Sequence, residues 1–444
     1  MSEIVALLQT LAPLVSPTLL QQMSHVIYGM LATTGRVTML GISRWTEKGG
    51  SYRTLQRWYH SALPWAQMMR LLFTKLLWQP GAEYIAAGDE VVVGKAGKET
   101  YGLGRFFSSL QQRAIPGLSF FVFSLISVPD RGSYPLQVNQ MVKEAGEQKK
   151  APPVPRTPKT GRRGRPKGRQ NKTRQAPPLN PELVRIQGFL QAFLSLIGKV
   201  VAVVYLVLDG HFGNFPSAWL VQQAGLHLIS KLRSDAALYE PFRGHSRGRG
   251  RRPKYGKRIE VRRMPKNYLQ SEQVEDGIRT QIYQAALLNK EFAFPLNVVV
   301  ILKTNLTTQA QAHVILFSTD LKLATDKMID YYSLRFQIEF NFRDAKQYWG
   351  LEDFMNVKET AVTNAANLSF FMVNFSLLLL ARFQKLNPAF SLLDLKAHYH
   401  AWRYVTETIK LLPQKPEAIL LARIFEQIAC LGMIHPTLAP TPAS

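Results

Sequence analysis

The stretch YYSLRFQIEFNFRDAK, from Tyr331 to Lys346, decides how the rest of the chain is interpreted. At 100° per residue it predicts one helix, from about residue 325 to about residue 350, with several kinds of polar group on one face. These groups are Tyr332, Arg335, Glu339, Arg343 and Lys346. Buried polar groups need partners, and the phenylalanines beside this face make it unsuited to solvent. The pattern predicts a face that meets an anion, with the glutamate holding a metal ion against it.

The positive charge of the chain is concentrated in two segments. The net charge is +25 over 444 residues. Lys149 to Arg174 holds 11 Lys and Arg and no acid, and Arg243 to Arg263 holds 10 with one acid, Glu260. Together the two segments carry +20 of the +25. Cations concentrated in this way indicate places where phosphate is bound, and hence a polyanionic partner.

Both basic segments contain a short Arg-Gly pattern that can enter a DNA groove. GRRGRPKGR (Gly161 to Arg169) has an RGRP core, in which Arg163 and Arg165 would lie along a narrow A·T minor groove. The second segment has a similar GRGRRPK run that contains Arg249 and Arg251. The alternative is a nonspecific basic tether, and both interpretations predict contact with DNA.

Two further acids occur where strands are predicted. Glu83 to Val93 indicates a buried strand containing Asp89, an acid that is costly there unless it is paired or binds a metal. Val200 to Asn214 begins as a continuous apolar run, typical of a central strand, and the run ends at Asp209. Sites in open α/β sheets are commonly built at the carboxyl ends of strands. The alternative for Asp209 is a cap on the next helix.

Three acids on separate elements predict a metal site if they converge. Asp89, Asp209 and Glu339 are spaced 120 and 130 residues apart. Converging carboxylates repel one another unless divalent cations neutralise them. An all-carboxylate site suits Mg²⁺, with Mn²⁺ as a substitute. Two such ions about 4 Å apart can activate water or a 3′-hydroxyl and stabilise the leaving oxygen of a phosphodiester, so we expect two ions here.

The chain divides into five predicted parts. They are a helical N-terminal DNA-binding region (1–80), a first α/β part (83–235) with a basic linker (149–178), a basic, β-rich insertion (236–322), a second α/β part (323–385), and a helical C-terminal region (386–444) that is a candidate for dimerisation. In the N-terminal region, basic residues alternate with aromatic residues from Met39 to Ser61. That alternation is typical of a helix-turn-helix unit, or of an ordinary helical bundle.

The sequence predicts a soluble cytoplasmic protein with no membrane partner. No basic residue precedes Arg36, so the charged start of a signal peptide is missing. The most apolar run, Leu368 to Ala381, is too short to span a bilayer and is interpreted as a buried helix. The single cysteine, Cys430, excludes an intramolecular disulfide and a cysteine zinc site.

The spacing of four residues resembles a family signature. Tyr332, Arg335, Glu339 and Lys346 fit Y-x2-R-x3-E-x6-K, the signature of a large group of bacterial insertion-sequence transposases in the DDE superfamily. The preceding STDL and the two strand aspartates, in the same order, are also similar to that family. The resemblance covers about residues 83 to 385. It implies an α/β fold: an RNase H-like catalytic core with a β-rich insertion before the glutamate, plus helical N-terminal and C-terminal regions.

The resemblance also implies residue roles. Asp89, Asp209 and Glu339 would be the catalytic metal ligands. The residues that would hold the DNA strand near the cut are Tyr332, Arg335 and Lys346. Arg can bind phosphate bidentately, Lys acts as a point charge, and Tyr can donate a hydrogen bond or stack on a base.

Several neighbouring residues are weighed beside these. Arg343 on the same helix and Lys95, six residues after the first aspartate, are further candidates for phosphate contact, although Lys95 fits an ordinary surface lysine equally well. Glu90 is the second choice for the first ligand, because it faces the other side of the strand. The remaining acids near the third ligand, Asp320 and Asp344, are interpreted as structural.

The implied activity is DNA transposition. The protein would cut at the ends of an element to free a 3′-hydroxyl and join it to target DNA. Its partners would be double-stranded DNA with terminal inverted repeats, target DNA and a second copy in a homodimer, and it would be nucleoid-associated when bound. Two alternatives stay open: an inactive descendant that only binds DNA, and another RNase H-fold nuclease that cuts without joining strands.

Overall fold

The computed structural model describes most of the chain. The described residues are 2–46, 50–108, 111–143, 176–198, 200–244, 252–414 and 416–436. Nearly all of the predicted basic linker lies outside them. Arg163, Arg165, Arg249 and Arg251 also lie outside the described residues, so their contact with DNA stays a prediction.

The N-terminal region is helical, as the sequence predicts. Its helices are α1 (Ser2–Leu8), α2 (Pro17–Ala32), α3 (Met39–Trp45), α4 (Tyr52–Tyr59) and α5 (Trp65–Leu72), followed by a π-helical turn at Phe73–Leu77. At the start of α4 the Ser51 side chain accepts a hydrogen bond from Thr54 N, which satisfies a donor of the first turn. Trp58 is buried, whereas Arg53 and Arg57 are exposed. The basic side chains of α4 therefore face outwards.

The described strands form one mixed sheet. They are β1 (Tyr84–Gly94), β2 (Gly104–Ser108), β3 (Arg113–Ser127), β4 (Ser133–Gln140), β5 (Val203–Val207), β6 (His227–Leu232), β7 (Leu238–Pro241), β8 (Tyr255–Ile259), β9 (Leu269–Glu275), β10 (Ile278–Asn289), β11 (Leu296–Asn305) and β12 (Gln311–Ser318). Their order is β2-β3-β1-β5-β6-β12-β11-β10-β7-β8, with β4 paired to β3 and β9 paired to β10.

The first half of the sheet is an RNase H-like core. Strand β3 is antiparallel to both β1 and β4. On the other side of β1, β5 pairs parallel to β1 and β6 pairs parallel to β5. Parallel strands need crossover connections, which α6 (Pro181–Ile197) and α7 (Phe215–Gln223) provide. The predicted fold class is confirmed. Because β1 and β5 lie side by side in the centre, the acids that they carry can meet.

The β-rich insertion extends the same sheet. β12 pairs antiparallel with β6, with Ile315 opposite Leu232 and Ser318 opposite Ile229. β11 follows β12, and its first residues are buried, as expected for a strand covered on both faces. The insertion is therefore attached to the core by backbone hydrogen bonds. It continues the sheet away from the acids.

The predicted single helix around Tyr331 to Lys346 is wrong, because two helices are present. They are α8 (Thr325–Leu334) and α9 (Gln337–Gln347). At the break, Phe336 N bonds to Ser333 O at 3.1 Å and Glu339 N to Phe336 O at 3.0 Å. These bonds span three residues, as in a 3₁₀-helix, which has a different twist per residue from an α-helix. The face calculated at a constant 100° per residue therefore does not continue from α8 into α9.

The C-terminal helices cover the core. They are α10 (Glu359–Gln384), α11 (Leu392–Leu411) and α12 (Ala418–Ala429). α10 is long and apolar enough to cross a membrane, but 83% of its most apolar 18-residue window is buried inside the protein. It packs on β4, α5 and α9. α10 is therefore the buried helix that the sequence predicts, and it supports α9 from behind.

Candidate active site

The strand register places two of the predicted acids side by side. β1 and β5 are parallel, and Ala87 pairs with Val207. Asp89 and Asp209 each lie two residues further on, so their side chains point to the same side of the sheet. Asp209 directly follows the end of β5, at the carboxyl edge of the central strands. This is the place where sites in α/β sheets are commonly built.

Asp89 lies in a buried, electronegative position. Its side chain is 18% exposed, and its Oδ2 accepts a hydrogen bond from Arg335 Nη1 at 2.7 Å. Burial is the main cause that raises the pKa of Asp89 to about 7; the charges of Asp209 and Glu339 add to this rise, and Arg335 opposes it. The predicted three acids therefore act electrostatically on one another.

Arg335 bridges two of these acids. Its Nη1 donates to Asp89, and its Nη2 donates to Glu339 Oε1 at 3.0 Å. The guanidinium side chain is only 15% exposed. Tyr332 lies against it, and burial raises the pKa of Tyr332 while Arg335 lowers it and Asp209 raises it. Arg335 thus contacts the acid of β1, and Tyr332 lies within reach of the charge of Asp209. The predicted contact of Tyr332 and Arg335 with DNA stays a prediction.

Asp209 also caps the turn that follows it. Its Oδ1 accepts from His211 N at 3.1 Å, at the start of the 3₁₀ turn Gly210–Phe212. Its backbone oxygen accepts from Ser230 Oγ at 2.7 Å. The two interpretations of Asp209, a cap and a site residue, are therefore compatible. The cap fixes the side chain at the sheet edge and leaves its second oxygen for another partner.

Two short contacts hold α8 and α9 on the core. Tyr331 donates its hydroxyl proton to Glu83, which comes just before β1. Asn341 Nδ2 donates to Ser133 Oγ, on β4, at 2.7 Å. Sequence reasoning missed these positioning residues. Glu83 could have been found in the sequence as an acid at the start of a predicted buried strand. No feature of the sequence points to Asn341.

The rival acids lie elsewhere. Glu90 accepts a hydrogen bond from Ser119 on β3, and the charge of Glu182 on α6 acts on it. Asp320 accepts from Tyr205 Oη at 2.7 Å, and Asp344 pairs with Arg343 at 2.9 Å. Each of the three therefore has local structural partners, whereas Asp89 faces Arg335 and the other acids.

The predicted cations differ in how strongly they are engaged. Lys346 Nζ donates to Val92 O at 2.9 Å and lies 3.0 Å from Glu352 Oε1. Lys95 Nζ donates to Phe354 O at 2.7 Å and lies over the Phe354 ring, and burial lowers its pKa to about 8. Arg343 is 51% exposed. Arg343 is therefore the most accessible of the three.

The chemistry of the acids fits a hard divalent cation. Among the described ranges, no three His, Cys, Asp or Glu side chains lie close enough, as they stand, to bind one metal ion. The donor set of Asp89, Asp209 and Glu339 offers only carboxylate oxygens, which Mg²⁺ prefers. Burial and the charges of Asp209 and Glu339 raise the pKa of Asp89, and Arg335 supplies positive charge to Asp89 and Glu339.

The fold is an α/β fold with acids at the edge of an RNase H-like sheet. A family model described as DDE superfamily endonuclease matches residues 11–290, and the chain belongs to that family. The resemblance to the DDE superfamily is confirmed, and DNA is the substrate class of such an endonuclease. The match includes Asp89 and Asp209 and ends before Glu339, so the signature lies beyond it. No curated protein matches the chain significantly.

Proposed function

We propose that this protein is a DNA transposase, which cuts DNA at the ends of an element and joins the freed 3′-hydroxyl to target DNA. One observation carries the proposal. A single buried guanidinium, Arg335, holds an acid of β1 and an acid of α9 together, with Asp209 beside them. The three acids belong to elements far apart in the sequence. Their convergence at one edge of an RNase H-like sheet supports a phosphodiester-transfer site.

The acids have the role of metal ligands in this proposal. Asp89, Asp209 and Glu339 would hold Mg²⁺, two ions in all, or Mn²⁺ in its place. When bound, these ions supply an activated oxygen nucleophile and stabilise charge on the leaving oxygen. The protein contributes a rigid placement of the acids on two adjacent strands and one helix.

The cations of the opening segment would hold the DNA strand. When metal ions neutralise the carboxylates of Asp89 and Glu339, Arg335 can bind a phosphate with the same two nitrogens. Tyr332 beside it can donate to phosphate or stack on a base. Arg343 and Lys346 lie on α9, about two and three turns beyond Arg335, where they would contact the next phosphates. We propose Lys95 as a support for Lys346, since it binds the loop that holds Glu352.

A homodimer would pair the two element ends. α12 leaves several apolar side chains exposed, with Ile419 at 79% and Leu420 at 50%. Exposed apolar side chains on one helix favour an interface between copies. The basic segments outside the described residues would add general attraction for duplex DNA.

A plasmid assay tests the proposal. The substrate is a supercoiled plasmid bearing the inverted repeats that bracket the gene, with Mg²⁺ and a target plasmid. Wild type should give cut ends and joined products. Asp89→Asn, Asp209→Asn and Glu339→Gln should each reduce cleavage by ~10³-fold or more, as loss of essential catalytic groups does, while binding to the same DNA persists.

Glu90→Gln is the matched control, because Glu90 neighbours Asp89 on β1 but lies against Ser119. It should cut like wild type. Wild-type-like cutting by Glu339→Gln and Asp209→Asn would refute the site. Cutting without joined products identifies a nuclease that does not transfer strands, and metal-independent binding without cutting identifies a DNA-binding descendant.

A further inference from the structure

A wide cleft lies where the insertion meets the core. Its volume is about 1010 Å³, and it is lined by residues 234–236 after β6, 258–263 at and after β8, and 311–313 at the start of β12. Lys231 and Arg233, which shortly precede Ser234 in the sequence, are exposed. No residue of this cleft belongs to the carboxylate site.

The cleft lies at the same edge of the sheet as the acids. β6 is parallel to β5, with Ile229 opposite Val207, so the carboxyl end of β6 lies beside Asp209. β12 is antiparallel to β6, so its first residues lie at that edge too. From the spacing of strands and the rise per residue, the cleft is roughly 10 to 20 Å from Asp209. That distance corresponds to about three to six nucleotides along one strand of a duplex.

The cleft carries unengaged arginines. Arg258, Arg262 and Arg263 are exposed, and none makes a side-chain hydrogen bond or ion pair with the part of the chain that the structure describes. The lining also contains Asp235 and Glu260. Arg233 pairs with Asp235 through bonds of 3.0 and 3.2 Å. The lining therefore has three arginines against two carboxylates, and Arg233 already pairs with one of these carboxylates.

Lys231 connects the cleft with the acids. A Cβ placed on Gly210 would lie 3.1 Å from Lys231 Cε, so this lysine passes over the residue that follows Asp209. Its ammonium has no hydrogen bond or ion pair among the described residues. Two exposed cations, Lys231 beside Gly210 and Arg233 paired with Asp235, therefore lie between Asp209 and the cleft.

We propose that this cleft binds the phosphate backbone of the double-stranded DNA that flanks the reacting strand. The proposal rests on the proposed function, since it assigns a place to DNA beyond the cut. Like charges held together without partners repel one another, and a phosphate backbone removes that repulsion. Arginines suit this role because each can bind a phosphate bidentately. An acidic peptide is the alternative occupant, and the binding assay separates the two.

The experiment measures how salt weakens DNA binding. The probe is a fluorescent 40-base-pair duplex of arbitrary sequence, with chelator present so that no cutting occurs. Each phosphate contact adds about 0.9 to the slope of log K against log salt. For the triple variant Arg258→Gln, Arg262→Gln and Arg263→Gln, the magnitude of the slope should therefore be smaller than that of wild type by about 2 to 3. From 50 to 200 mM salt, wild-type affinity should fall up to about 40-fold more than that of the triple variant.

Two matched variants complete the design. Lys322→Gln, Lys385→Gln and Arg423→Gln remove the same charge from exposed positions away from the cleft, and should change the slope by less than about 0.5. Replacing the three cleft arginines with lysine should keep the wild-type slope, because the charge remains. Equal losses in both glutamine triples, or loss in the lysine triple, would overturn the proposal. An unchanged slope in the cleft triple would also overturn the proposal, and would leave an acidic peptide as the candidate occupant.

Failure of the cleft proposal can be distinguished from failure of the proposed function. If wild type fails to cut the plasmid but the cleft triple loses its slope, the cleft binds DNA in a protein of another activity. If wild type cuts and joins but the slope is unchanged, the proposed function stands and the cleft proposal fails.

Discussion

Arg335 and Arg343 lie on the same short segment, eight residues apart, in opposite environments. Arg335 is 15% exposed and donates to the carboxylates of Asp89 and Glu339. Arg343 is 51% exposed and donates to its neighbour Asp344, with its guanidinium 4.9 Å from the Phe340 ring centre. The first arginine is mostly buried and pairs with one mostly buried acid, Asp89, and one half-exposed acid, Glu339, whereas the second is half-exposed and pairs with Asp344. The two arginines differ in burial, and the spacing of the signature residues does not predict that difference.

The largest expected effect concerns Arg335. Removing one partner of a mostly buried ion pair leaves a charge without compensation, so Arg335→Ala should lower the free energy of unfolding in chelator by about 3 kcal/mol. Arg343→Ala, at an exposed pair, should lower it by less than about 0.5 kcal/mol. Urea unfolding monitored by circular dichroism measures both.

A double variant separates charge from packing. Arg335→Ala with Asp89→Asn should recover more than half of the lost free energy, because the uncompensated carboxylate is gone. If the double variant is as unstable as the single one, the contribution of Arg335 is packing. Equal losses in Arg335→Ala and Arg343→Ala would remove the contrast between the two arginines.

A smaller effect concerns the pH dependence of stability. Burial raises the pKa of Asp89 to about 7 in the folded protein, from an ordinary value of 3.8. The folded state then binds a proton more tightly than the unfolded state, so the contribution of this carboxyl to stability falls as pH rises from about 4 to about 7. Asp89→Asn should therefore gain stability relative to wild type between pH 5 and pH 8, by at least about 1 kcal/mol.

The measurement is urea unfolding of both proteins in chelator at the two pH values. Asp235→Asn, at a carboxylate that is 69% exposed, is the control for a general change of charge. It should show the same difference from wild type at both pH values. A difference for Asp89→Asn that does not change with pH, or that changes in the opposite direction, would contradict the buried environment of Asp89.

Local rules were enough to predict the strand acids. The side chains of a strand alternate between faces, and this separates Asp89 from Glu90 without any tertiary information. An acid at the end of a continuous apolar run indicates the carboxyl end of a central strand, which is where Asp209 lies. The parallel register that brings these two acids together follows from the order of strands and crossover helices. The position of each acid on its strand depends on short-range patterns, whereas the pairing of β1 with β5 joins segments far apart in the sequence.

The break between α8 and α9 and the attachment of the insertion depend on long-range contacts. Tyr331 reaches Glu83, and Asn341 reaches Ser133, so each helix is held by a partner distant in sequence. Neither contact leaves a periodic pattern, and the amino acids at Arg335–Phe336 are ordinary helix residues. The pairing of β12 with β6 also joins segments on either side of the insertion. Hydrophobic periodicity predicts such strands but not their partners.

The smallest expected effects concern the two cations of α9, Lys346 and Arg343. Lys346→Met should lower the free energy of unfolding by about 1 to 2 kcal/mol, because it removes a charged hydrogen bond to Val92 O and a contact with Glu352. Arg343→Gln should change it by less than about 0.5 kcal/mol. If both side chains also contact phosphate, each variant should reduce the salt slope of duplex binding by about 1.

Unfolding and salt-dependent DNA binding, measured together, separate a structural role of each side chain from a role in DNA binding. A stability loss for Lys346→Met with an unchanged slope would make Lys346 purely a link between α9 and β1, and would remove it from the proposed strand contacts. An unchanged slope for Arg343→Gln would leave Arg343 with structural contacts alone, its ion pair with Asp344 and its position over the Phe340 ring. In that case the second half of the segment would have no part in binding DNA, and strand contact would fall to Tyr332 and Arg335 beside the acids.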